Sequence, residues 1–67
     1  MPVITIEGPA LKLETKERLA KEMTLLASTL MDIPEDAYVV LIKENHYENM
    51  AQGGILISEK LRKQENG

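Results

Sequence analysis

Tyr38-Val39-Val40-Leu41-Ile42-Lys43 is the stretch on which the fold turns. Four successive apolar residues, Val39 to Ile42, leave neither face of an extended chain polar, as in a central strand covered on both sides. Upstream, from about Glu14 to Met31, the apolar period changes to that of a helix. Leu19, Ala20, Met23, Leu26, Ala27 and Leu30 fall on one stripe, while Leu25 and Met31 lie off it and together hint at a second buried side. Glu14 and Glu17 suit the first turn, where the helix dipole favours anions, and Thr15 is a candidate N-cap without a capping box. Asp32-Ile33-Pro34 closes the helix, because the residue before a proline avoids the α region. Further upstream, Pro2-Val3-Ile4-Thr5-Ile6-Glu7 reads as a strand with Pro2, Ile4 and Ile6 on one face. Proline is tolerated at its first position, which need not donate to the ladder, and Gly8-Pro9 ends it.

Strand, long helix and strand make a βαβ unit, of class α/β (α+β in some schemes), with parallel strands and a right-handed crossover. Such a unit covers one face of its two-stranded sheet and leaves the other bare. Downstream, Glu44 to Gly54 reads as a polar loop whose Gly53-Gly54 pair permits a tight turn at positive φ. Ile55-Leu56-Ile57 is either a small strand or the start of a helix capped near Ser58, and fraying is expected beyond Arg62. Residues 1–67 are thus expected to form a single domain, with a core over about 2–57 and a C-terminal tail over 58–67.

Sixty-seven residues bury little more than half of their unfolded surface, so a core of this size needs outside support. With no Cys and one His, disulfides, thiolate sites and imidazole-rich metal sites are excluded. Since 43% of the residues are hydrophobic, the core is expected to be completed across subunit boundaries in a homo-oligomer. The net charge of −3 argues against nucleic acid as a partner, and the run Lys60-Leu61-Arg62-Lys63 reads as a solvated tail. No apolar run approaches the ~18 residues of a membrane span and no signal-peptide pattern opens the chain, so membrane association is not expected and a cytoplasmic location is.

Few residues offer chemistry. Glu44, His46 and Glu48 alternate along the loop, but three ligands on an unsupported loop lack a second shell, so no metal is expected. No cofactor motif is present either. Pro2 stands apart. A Met followed by Pro is a normal substrate for initiator-Met removal, which frees a secondary amine held in a ring. That amine becomes a base near neutral pH if apolar burial or nearby cations disfavour its ammonium form.

The opening Pro2-Val3-Ile4-Thr5-Ile6, the helix start Glu14-Thr15-Lys16-Glu17-Arg18-Leu19, the strand Val39-Val40-Leu41-Ile42-Lys43-Glu44 and the turn Gly53-Gly54 together resemble the 4-oxalocrotonate tautomerase family over roughly residues 2–57. The resemblance implies an isomerase in which Pro2 is the catalytic base and the substrate is a small carboxylate. It also implies sheets joined across subunits in a hexamer, a trimer of dimers. Two family arginines that hold a dicarboxylate fall here at Leu11 or Lys12 and at Val39. Lys12 replaces the first as a point charge, without Arg's bidentate fork. Val39 cannot bind a carboxylate, and Lys43, on the same strand face, is its only substitute. The family's apolar aromatic wall falls at Met50, which keeps a dry surface. Substrate-binding positions are therefore expected at Lys12, Lys43, Met50 and Val39. The alternative is a non-catalytic oligomeric βαβ module in which Pro2 merely starts a strand.

Overall fold

The computed structural model describes residues 1–66. Strand β1 (Val3–Gly8) leads through a short connection to helix α1 (Leu13–Met31). A 3-10 turn at Glu35–Ala37 then feeds strand β2 (Val39–Glu44). β1 and β2 pair in parallel, Val3 opposite Val39 through Gly8 opposite Glu44, which is the βαβ unit expected. The ladder is continued at both ends. Val39 N–H donates to Pro2 O at 3.1 Å, and Asn45 N–H donates to Gly8 O at 2.8 Å. Pro2 thus joins the sheet through its carbonyl alone, the one backbone group a proline can offer.

Helix α1 starts one residue earlier than its periodicity suggests. Its N-cap is Lys12, not Thr15, and no side chain caps it. Glu14 lies in the first turn but Glu17 does not. At the other end Asp32 adopts φ 57°, and its N–H reaches Ser28 O at 3.0 Å. The left-handed cap, not Pro34 alone, turns the chain. Ile4, Ile6, Val40 and Ile42 are half-buried on the sheet face that α1 covers, with Leu19, Ala20, Met23 and Ala27 from the helix. Leu26 and Leu30, which the stripe counted as core, are exposed, as are Leu25 and Met31. Val3, Thr5, Leu41 and Lys43 face away on the bare side.

The segment read as a polar loop is more ordered than its composition suggests. Tyr47–Asn49 makes a 3-10 turn, and Ala51–Gln52 (β3) and Ile55–Leu56 (β4) form an antiparallel hairpin. Gly53 (φ 63°) and Gly54 (φ 84°) supply its turn. A 10-residue helix α2 (Ile57–Asn66) follows directly, with no cap at Ser58. The expected tail is therefore helix to Asn66, and Gly67 lies outside the described residues. Within the basic run, Lys60 Nζ donates to Gln52 Oε1 at 3.1 Å and Lys63 pairs with Glu59 at 3.5 Å. No described residue is fully buried. The radius of gyration is 16.0 Å, against about 11 Å for a compact chain of this length.

Candidate active site

Parallel pairing puts the starts of both strands at one end of the sheet. Pro2 and Val39 meet there, joined by the hydrogen bond from Val39 N–H to Pro2 O. Pro2 is half-buried, and Met1 before it is 88% exposed. The sheet face that Pro2 shares is apolar: Ile4, two residues on, and Val40, which pairs with Ile4, are half-buried.

The other expected site residues lie elsewhere. Lys43 pairs with Glu7, four residues along β2 from Val39, roughly 13 Å at a strand's rise. β1 ends at Gly8, about 20 Å from Pro2 by the same measure, and Lys12 comes four residues after that end. Met50, half-buried, comes after β2 has ended, and its carbonyl accepts Ile57 N–H at 2.7 Å. One chain therefore joins Pro2 to Val39 and sets Lys12 and Lys43 toward the other end of the sheet. Lys43 cannot stand in for an arginine at position 39 within its own chain.

At that far end a carboxylate organises the backbone. Glu44 Oε2 accepts Leu11 N–H at 2.6 Å, and Oε1 accepts Lys16 Nζ at 3.0 Å. These bonds, Leu11's first and Lys16's second, hold the Glu44 carboxyl below its usual pKa. A cleft of about 490 Å³ opens next to it, lined by Pro9, Ala10, Glu44, Asn45, His46 and Tyr47. None of the five expected site residues lines it. Its lining carboxylate is already paired, which suits it poorly to an acidic substrate. Sequence reasoning met Glu44 only as a weak metal ligand and missed this arrangement. The available signal was α1 itself, whose amino end carries lysines and no capping acid.

A family model described as "Tautomerase enzyme" matches residues 2–60. The chain belongs to the tautomerase family. Among solved structures, DmpI from Archaeoglobus fulgidus is 32% identical over 85% of this chain and 98% of its own, with a TM-score of 0.78. A 4-oxalocrotonate tautomerase homologue is 28% identical over 88% and 95% of the two chains, with a TM-score of 0.80. A heterohexameric 4-oxalocrotonate tautomerase from Chloroflexus aurantiacus J-10-fl shares the fold, at 22% identity over 88% and 95%, with a TM-score of 0.75. None of the curated proteins matches the sequence. Membership supports a tautomerase, isomerase-type activity for this βαβ subunit.

Proposed function

We propose that this tautomerase is a hexameric isomerase in which the Pro2 amine, freed of Met1, moves a proton on a 2-oxo or 2-hydroxy-enoate. The observation that carries this reading is the half-buried Pro2 at an open strand end, in apolar company and tied by Val39 N–H. A ring nitrogen fixed there keeps its place while apolar neighbours disfavour its ammonium form. The free amine takes a proton from the enol oxygen or from carbon and returns it elsewhere on the same molecule. Charge growing on the substrate oxygen needs a cation, and this chain's own Lys12 follows the opposite end of β1. A neighbouring subunit's Lys12 meets that need, and Met50 from such a neighbour supplies an apolar wall. The separation of Pro2 from Lys12 thus favours an assembled site, as do the bare sheet face and the hexameric assembly of the Chloroflexus relative. With a valine at the position where the resemblance places the second arginine, the substrate class is a monoacid or a small acid, not a long dicarboxylate.

The test compares Met1-free and Met1-retaining protein, each verified by intact mass, on 2-hydroxy-enoates with one or two carboxylates. Retained Met1 makes the Pro2 nitrogen an amide and abolishes turnover while leaving the oligomer intact. In Met1-free protein the rate rises through one pKa below that of an ordinary secondary amine. Undiminished turnover with Met1 in place would sink the mechanism and leave Pro2 as a strand-start residue.

A further inference from the structure

We propose that Glu44 is a positioning residue for the substrate-binding loop, holding the β1–α1 connection so that Lys12 is presented in one fixed direction. This rests on the reading of Lys12 as the substrate's cation. The connection from Pro9 to Lys12 has little else to fix it. Pro9, Ala10 and Lys12 are exposed, and Pro9 contributes no N–H. Lys12 is the N-cap of α1 at φ −68° and ψ 151°, yet its side chain caps nothing. An ammonium at this end opposes the helix dipole, and an uncapped first turn frays. The restoring anion comes from 33 positions away in sequence, through the bond from Leu11 N–H to Glu44 Oε2 at 2.6 Å. The other oxygen of Glu44 receives Lys16 Nζ at 3.0 Å, one helical turn beyond Lys12.

The two contacts bracket Lys12, one on the residue before it and one on the turn after it. They join both to β2, whose last residue is Glu44 itself. The strand end is rigid, since Gly8 pairs with Glu44 and Asn45 N–H bonds Gly8 O at 2.8 Å. Glu44 also engages Lys16, while among the described residues the Lys12 ammonium has no ion-pair partner. The effect on catalysis passes through Lys12, and Glu44 itself touches no substrate.

The experiment is a double-mutant cycle on the Met1-free oligomer with Lys12→Ala, Glu44→Ala and their combination, read as KM and kcat for a 2-hydroxy-enoate monoacid. Glu44→Ala is expected to lower kcat/KM about tenfold, with the loss falling largely on kcat because Lys12 meets charge that grows in the transition state, and to add little once Lys12 is gone. Glu44→Gln, which keeps an acceptor for Leu11 N–H, is expected to recover part of the loss and guards against a misfolded alanine variant. Hydrogen exchange supplies a readout independent of activity: the Leu11 amide should exchange faster in Glu44→Ala while the β1–β2 amides stay protected. Fully additive losses in the cycle, or an unchanged Leu11 amide, overturn the proposal with the tautomerase reading intact. A wild type inert toward every enoate tested overturns that reading, and with it any purpose for holding Lys12.

Discussion

At the scale of single residues, charge is the most informative feature of this subunit. The Glu44 carboxyl is held below its ordinary value by Leu11 N–H and by Lys16, with the His46 imidazole acting in the same direction. A depressed carboxylate pKa stabilises the folded state above the unfolded value, about 4.3, and that contribution is lost as pH falls through the folded one. Glu44→Gln should therefore be less stable than wild type at pH 7, and the gap should be narrower at a pH well below the unfolded value of about 4.3. Urea melts at the two pH values check this, and a constant gap would mean that the ionised carboxylate adds nothing. Val39 carries the second prediction at this scale. A charge-assisted anchor is worth about 1.5–3 kcal/mol, so its absence beside Pro2 should leave monoacid and dicarboxylate within about tenfold in kcat/KM. Val39→Arg should favour the dicarboxylate selectively. A wild-type preference for the dicarboxylate beyond about a hundredfold would show that a cation from another subunit fills the place of the arginine.

At the scale of elements, local rules and tertiary structure divide the work. The period-2 run of β1 and the 3.6 period of α1 were legible because side-chain direction follows directly from backbone geometry. The hairpin was legible only in its turn, because strands of two residues are too short to show a period. That turn holds two consecutive residues at positive φ, and a Cβ on either would meet nothing within 4 Å. Gly53→Ala and Gly54→Ala should each cost about 1–2 kcal/mol, the backbone penalty alone, and Gly53→Asn less. Thermal melts of the three variants measure this. Equal loss for Ala and Asn would mean that backbone strain is not the cause. Helix α2 was one of two readings of Ile55–Ile57 and its length was not legible, because Ser58 to Gln64 carries little apolar periodicity and the helix packs on the adjoining hairpin and Tyr47–Asn49 turn.

At the scale of the whole molecule, the subunit is unfinished. Val3, Leu13, Leu25, Leu26, Leu30, Met31, Leu41, Ile55 and Leu56 are each more than 40% exposed. Covering what remains of each is worth about 1 kcal/mol, a large sum beside the marginal stability of so short a chain. Sedimentation at micromolar concentration should therefore show a hexamer, and the melting temperature should rise with protein concentration. A folded, stable monomer would contradict both this and the assembled site. Leu41→Glu, on the bare sheet face, should dissociate the assembly. The sequence by itself determined the βαβ order, the parallel pairing and Pro2 as the residue with chemical promise, because each follows from local periodicity or from the chemistry of one side chain. Only the tertiary structure decided that Pro2 meets Val39 at the end of the sheet away from Lys12, and that Glu44 ties down the connection into a helix begun 31 residues earlier. Those relations depend on register and on the path of the connection into α1, which are set where distant segments meet and leave no mark on either segment alone.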